Sequence, residues 1–238
     1  MQTPAKPSFT FGLLLFPNMT QLDLTGPFEV FARVPGAQVP LIWKTLDPVV
    51  TDRGMAILPT ATFDTCPPLD LICVPGGPGQ MDLMEDQQVI DFLRKASEGC
   101  RFVTSVCTGS LVLAASGLLR GYRAACHWAS KDQLALFGVE PAEGRVVFDR
   151  NRITGAGVTS GIDFALSIVW HLLGEDAAKA IQLQLEYDPT PPFDAGTPET
   201  AGPAVTATVL DGMTGTLTKR RAVSERAAAA YKARGPWW

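Results

Sequence analysis

Histidine is nearly missing from this chain: among 238 residues only His127 and His171 occur. A cysteine nucleophile that relies on a histidine partner therefore has two residues to choose from. Positive charge is also thin, with 20 Lys and Arg against 24 Asp and Glu and a net charge of −4. The basic residues are scattered until Lys219-Arg220-Arg221, so a general phosphate-backbone binder is excluded and no nucleic-acid partner is expected. Long apolar runs are lacking too. Leu13-Leu14-Leu15-Phe16 stops at Pro17, far short of a bilayer span and with no small-residue cleavage site behind it, so no membrane partner is expected. Cysteine is limited to Cys66, Cys73, Cys100, Cys107 and Cys126, an odd set with no Cys-x-x-Cys pair and no compact metal-ligand cluster. Such a set fits reduced thiols in a cytoplasm.

What the chain does have is apolar content, 46% of its residues, enough for a sizeable core. Residues 9–16 read as a first strand, and Pro27-Phe28-Glu29-Val30-Phe31-Ala32-Arg33 as a helix with its proline in the first turn. Residues 41–46, 55–58 and 69–74 read as further strands, the last closed by Pro75-Gly76-Gly77-Pro78-Gly79. Residues 86–97 set Val89, Ile90, Phe92 and Leu93 at helical spacing. Val146-Val147-Phe148 and Arg152-Ile153-Thr154 flank a tight turn, and 164–173 reads as an apolar helix. This alternation, with nearly continuous apolar strands, predicts an α/β fold: a mostly parallel sheet with helices on both faces, binding ligands at the carboxyl ends of its strands. Residues 1–186 are expected to form the α/β catalytic domain. Residues 187–238 are expected to be a proline-rich loop and a C-terminal helical extension, packed on the same domain or on a dimer partner. Helix is expected over 204–233, weakened in the middle by threonines, Gly212 and Gly215.

The chemistry concentrates at Thr104-Ser105-Val106-Cys107-Thr108-Gly109-Ser110, where a β-branched run turns at once into a helical segment. A cysteine at that corner is displayed at the sheet edge, and the free N–H groups and positive end of the next helix favour thiolate over thiol. A buried core cysteine is the competing reading. Backbone N–H groups of Thr108 and of Gly76 and Gly77 can converge on one site to hold negative charge. Asp23, in Gln21-Leu22-Asp23-Leu24-Thr25-Gly26-Pro27, lies just before the first helix at the same edge; it can carry a proton or cap the helix. Thr108 can orient substrate or water, or simply start its helix. His127 follows another strand and can stand behind the nucleophile, whereas His171 sits in an apolar helix and reads as a core or interface group. Ser160 with Asp163 reads as a capping box, with Thr159 and Ser160 as further candidates for the pocket wall.

Four segments then resemble a known family: Asp23-Leu24-Thr25-Gly26-Pro27-Phe28-Glu29-Val30, Val74-Pro75-Gly76-Gly77, Ser105-Val106-Cys107-Thr108-Gly109-Ser110 and Gly157-Val158-Thr159-Ser160-Gly161-Ile162-Asp163. Together they are similar to the PfpI-like thiol superfamily, over about residues 9–173 and in order. The resemblance implies the flavodoxin-like, class I glutamine amidotransferase-like fold, with Cys107 as nucleophile, Asp23 as its carboxyl partner and Thr108 as a third active-site residue. It implies a homodimer with no metal and no organic cofactor. The loop Leu185-Glu186-Tyr187-Asp188-Pro189 through Pro191-Pro192-Phe193-Asp194 resembles the isocyanide-hydrating branch. That branch implies an isocyanide substrate converted to an N-substituted formamide through a covalent thioimidate on Cys107, with Asp23 as general acid and base.

Other branches fit less well. Peptidase-like members place a histidine directly after the cysteine, where this chain has Thr108, and no His-x-Glu pair of the amidotransferase type occurs. The stress-protective branch carries glutamate where this chain has Asp23. A ligand-sensing domain related to AraC-type regulators shares the Gly-Pro-x-Glu-Val and Val-Cys-Thr-Gly segments. Two helix-turn-helix units would need on the order of a hundred residues after it, whereas this chain reaches Gly235-Pro236-Trp237-Trp238 soon after one tail. A redox thiol protein, with Cys107 oxidised to a sulfinic acid, is the remaining alternative.

Overall fold

The computed structural model describes residues 9–233. The terminus Gly235-Pro236-Trp237-Trp238, and the expectation attached to it, lies outside the described residues. The chain runs β1 (Phe11–Leu14), α1 (Gln21–Phe31), β2 (Leu41–Trp43), the short hairpin β3 (Val49–Val50) and β4 (Ala56–Ile57), β5 (Ala61–Thr62) and β6 (Leu71–Val74). It continues through α2 (Gln80–Leu83), α3 (Gln87–Gly99), β7 (Phe102–Val106), α4 (Gly109–Ala115), β8 (Arg123–Ala124), a 3-10 helix (Trp128–Phe137) and β9 (Glu140–Pro141). The hairpin β10 (Val146–Asp149) and β11 (Arg152–Gly155) precedes α5 (Ser160–Leu173), α6 (Glu175–Gln184) and α7 (Pro198–Ala233).

Seven strands form one sheet in the order β10-β11-β7-β6-β1-β2-β5, and every neighbouring pair is parallel except β10 with β11. Every residue of β1, β6 and β7 is buried, which explains why β1 and β6 read as apolar runs, while β7 buries Thr104 and Ser105 among its apolar residues. Helices α1 and α5 cover one face, and α3 and α4 cover the other, with the 3-10 helix and α7 outside α4. The first pair packs closely because it lacks side chains at the crossing: a Cβ on Gly161 would stand 2.9 Å from Pro27 Cδ. The register pairs Val74 with Ser105 and Val106 with Gly155. The turns after β6, β7 and β11 are therefore level with one another at one edge of the sheet.

Several local expectations need correction. α1 begins at Gln21, so Pro27 lies inside the helix and Asp23 in its first turn. The Thr20 amide donates to the Gly76 carbonyl at 3.0 Å, and this tertiary tie starts the helix ahead of the proline. α5 begins at Ser160, and the expected capping box does not form. Asp163 instead accepts from Arg145 Nε at 2.5 Å and from Tyr187 Oη at 3.1 Å, groups brought in from distant segments. His171 is exposed, its ring 5.5 Å from that of Phe102 and 5.8 Å from that of Phe148. The helix expected over 204–233 begins earlier, at Pro198, with a kink at Gly202 where φ is +78°. Its threonines are tolerated because Thr206, Thr208 and Thr214 donate to the carbonyls four residues back. All five cysteines are free.

Candidate active site

Cys107 stands between β7 and α4 with φ at +57°, a strained value for a residue with a Cβ. Its N–H is held by the Gly155 carbonyl at 3.1 Å and the Ala156 carbonyl at 2.8 Å. The turn is tight because Gly109 has no side chain: a Cβ there would stand 2.0 Å from the Val74 carbonyl oxygen. The residue is buried, with 5% of its surface exposed. Burial, the nearby Asp23 carboxyl and Cys126 raise its pKa well above the usual range, and the Thr108 N–H opposes them. Desolvation thus works against the thiolate that the helix end is expected to favour.

Asp23 enters from α1 and is fully buried. Its Oδ2 accepts from the Gly76 N–H at 2.9 Å, whereas Oδ1 has no hydrogen-bond partner among the described residues. Burial pushes this carboxyl up to about 7; the Gly76 amide and the Cys107 thiol draw it back, and Asp52 pushes it further up. No capping bond to α1 is made by any side chain at its start.

Thr108 Oγ1 accepts from the Gly77 N–H at 3.1 Å. The Gly76 and Gly77 amides are therefore taken up by Asp23 and Thr108, and they orient those side chains instead of facing a substrate anion. This corrects the expected use of the Gly76 and Gly77 amides, and the Thr108 N–H remains as a group that eases ionisation of the thiol. Gly76 has to be glycine here, because a Cβ would lie 2.6 Å from both Thr108 N and Oγ1 and 2.9 Å from Asp23 Oδ2.

His127 accepts from the Ala129 N–H at its Nδ1, 3.3 Å away, and starts the 3-10 helix. Burial, with help from Arg220, pulls it down to about 4, so it is neutral at physiological pH. With Cys126, Trp128, Ala156, Val158 and Thr159 it lines a cavity of about 520 Å³ that residues 196–199 border from the other side. Cys107 is not among the lining residues, but Ala156, which holds its N–H, is. Ser160 is fully buried beneath β11, its Oγ without a hydrogen-bond partner among the described residues.

Two buried polar residues escaped sequence reading. Gln80, fully buried just past the Gly76-Gly77 turn, has neither amide atom hydrogen-bonded among the described residues. Arg220, buried on α7, donates from Nη1 to Ser130 Oγ at 3.0 Å. No local pattern signals either, since an isolated Gln after a turn and a basic residue in a helical tail are ordinary surface features. Among the described residues no cluster of His, Cys, Asp and Glu could hold a metal, and no helix is long and apolar enough to cross a membrane. A buried thiol beside a carboxyl of near-neutral affinity can share one proton with it, and so combine nucleophile with acid and base in a water-poor site.

The chain is similar to known proteins along most of its length. The model of the DJ-1/PfpI family matches residues 11–171. The chain is 53% identical over 218 residues to an isonitrile hydratase of Pseudomonas putida, covering 92% of this chain and 96% of that protein. It is 30% identical to the HTH-type transcriptional regulator GbdR of Pseudomonas aeruginosa over 75% of this chain, but spans only 51% of that regulator. Among solved structures, a THiJ/PfpI family protein from Pseudomonas syringae superposes with a TM-score of 0.89 at 44% identity, covering 93% of this chain and 92% of the other.

Proposed function

The chain belongs to the DJ-1/PfpI family, and from that premise we propose that it is a cofactor-independent hydratase converting an isocyanide, R–NC, to an N-substituted formamide. The observation that carries this reading is the 53% identity to an isonitrile hydratase over nearly its whole length. The matched pair at the sheet edge, a Cys107 thiol beside a buried Asp23 carboxyl, supplies chemistry suited to that reaction.

In this mechanism the proton of Cys107 passes to Asp23 as sulfur attacks the terminal carbon of the isocyanide. The S–C bond forms, and Asp23 returns the proton to that same carbon, giving a thioimidate R–N=CH–S–Cys107. Asp23, now a carboxylate, takes a proton from water as its oxygen adds to the carbon, and passes it to nitrogen. Collapse of the tetrahedral adduct breaks the C–S bond, returns the remaining hydroxyl proton to sulfur and releases R–NH–CHO. The Thr108 N–H eases ionisation of the sulfur, and Gly76 and Gly77 keep Asp23 and Thr108 in place. The cavity bounded by Trp128, Val158 and Thr159 lies beside the nucleophile and has room for the R group, with His127 as a neutral wall.

The test is incubation with cyclohexyl isocyanide while formamide is followed by chromatography. Turnover by the wild-type protein, lost in Cys107→Ala, is expected; absence of turnover, or turnover that survives this substitution, would sink the reading. A homodimer accompanies the proposal, supported by the exposed apolar patch of Phe148, Trp170 and Leu173 on adjoining elements, and light scattering would reveal it. Five free cysteines support a reducing, cytoplasmic setting.

A further inference from the structure

The cavity of about 520 Å³ beside Cys107 has a neighbour. A second cavity, of about 120 Å³, lies at the start of α7 and is bordered by Ala201, Val205, Thr206 and Val209. Trp128 and the turn Gly196-Thr197-Pro198 border both cavities. The turn is held from within: the Thr197 N–H donates to Thr200 Oγ1 and the Thr200 N–H to Thr197 Oγ1, both at 3.3 Å, while the Ala201 N–H donates to the Thr197 carbonyl at 2.8 Å. Trp128 opens the 3-10 helix, its ring 5.7 Å from that of His127 and tilted by 30° to it. What the two cavities share is therefore one fixed turn and one indole.

The two differ in what they offer a ligand. The larger has charge at its border, with Lys131 paired to Glu143 and Arg145 to Asp163. The smaller is bordered by no charged side chain, and its threonine hydroxyls are occupied: Thr206 Oγ1 donates to the Gly202 carbonyl at 2.8 Å, and Thr197 Oγ1 pairs with Thr200 Oγ1 at 3.3 Å. Val205 and Val209 are left 51% and 41% exposed. Such a surface has little for a polar ligand, and covering it with methylene groups is favourable. Ala156, whose carbonyl holds the Cys107 N–H at 2.8 Å, borders the larger cavity and not the smaller. A chain reaching away from the sulfur thus fills the larger cavity first and meets Trp128 or the fixed turn before Val205 and Val209.

We propose that Trp128 is a specificity-determining residue: its indole closes the substrate cavity off from the apolar cavity at α7 and so sets the length of unbranched R group that the site can bury. The substrate class that follows is an isocyanide with a compact or short apolar R group. When the indole is removed, a longer alkyl chain threads between the two cavities and lies against Val205 and Val209. Both valines lie beyond residues 11–171, the span matched by the family model. The C-terminal extension thereby shapes which substrate is accepted and does more than cover the domain.

The inference rests on the larger cavity holding the R group of the proposed hydratase, and its test reads binding as well as turnover. The n-alkyl isocyanides from butyl to decyl are assayed for kcat/KM with wild type, Trp128→Ala and Trp128→Phe, and binding of the matching N-alkylformamides is measured by calorimetry. In wild type, both quantities are expected to stop rising partway along the series. In Trp128→Ala they should go on rising, by about four-fold for each further methylene that is buried. The decyl-to-butyl ratio of kcat/KM should then exceed that of wild type by about ten-fold or more, with the gain in KM. Trp128→Phe, which keeps a ring between the cavities, should retain the wild-type plateau. Should the Ala variant fail to fold, Trp128→Leu carries the same expectation. Parallel series in wild type and a folded small variant, a wild-type series that rises unbroken to decyl, an equal shift in Trp128→Phe, or a gain confined to kcat would overturn the proposal. Loss of fold in both small variants would overturn it too, making Trp128 a structural anchor. Formamide binding whose length dependence shifts with Trp128, without turnover of any isocyanide, would defeat the hydratase reading alone; turnover with a length dependence indifferent to Trp128 would defeat this inference alone.

Discussion

The Asp23 carboxyl and the Cys107 thiol occupy one buried site in which the carboxyl makes the thiol harder to ionise, while the thiol eases ionisation of the carboxyl. The stable one-proton form is therefore a thiol facing a carboxylate. The reactive form is its tautomer, thiolate facing acid.

That relationship sets a pH profile. Below about 7 both groups are protonated and nothing accepts the thiol proton; above it Asp23 is a carboxylate that can. The wild-type kcat/KM for isocyanide is expected to rise about ten-fold per pH unit up to about pH 7 and then level. Asp23→Asn should lose that limb and fall by roughly 10²–10⁴-fold at pH 8. A full limb persisting in Asp23→Asn would assign it to another group.

The same carboxyl limits stability. Its folded-state affinity, about 7, exceeds the ordinary 3.8, so the folded protein binds this proton more tightly than the unfolded chain. The sign follows: its favourable contribution is complete below pH 3.8 and is lost as pH rises through about 7. Asp23→Asn should therefore be more stable than wild type at pH 8, by up to roughly 4 kcal/mol, with the difference closing near pH 4. Urea melts at the two pH values measure it, and a variant less stable than wild type at pH 8 contradicts the argument.

Thr108 contributes through its hydroxyl. Thr108→Val leaves the buried Gly77 N–H without its 3.1 Å partner and should cost about 1–3 kcal/mol along with most of the activity. Thr108→Ser, which keeps the oxygen, should recover both; if it recovers neither, the methyl group matters more than the bond.

Gly76→Ala forces a Cβ to 2.6 Å from the Thr108 backbone nitrogen, an atom that cannot swing aside. A loss of about 1–3 kcal/mol is expected from that overpacking, with turnover falling further because Asp23 is displaced as well. Gly99→Ala at the end of α3 meets nothing within 4 Å and serves as the control, expected to retain full activity.

The sheet was largely legible from the residues alone. β1, β6 and β7 are buried on both faces, so apolar residues dominate there, as the run 71–74 shows directly; β7 also buries Ser105 and Thr104, whose Oγ1 donates to the Ile72 carbonyl. Cys107 was legible for a similar reason, since a strand ending on Cys-Thr-Gly-Ser leaves little choice of corner. α1 was placed too late because proline in a first turn is the usual pattern, and the contact of Thr20 with Gly76 that starts the helix at Gln21 is not local. The capping box failed likewise: Asp163 had better partners in Arg145 and Tyr187 than its own backbone.

Residue order by itself determined the α/β layering, the strand-to-helix corner and the presence of a thiol and a carboxyl at one sheet edge, because burial and turn chemistry act over a few neighbours. The state of that pair and its surroundings came from the assembled fold alone. Desolvation and the Gly76 bond to Asp23 depend on which distant segments share one dry volume, and no short stretch of chain encodes that.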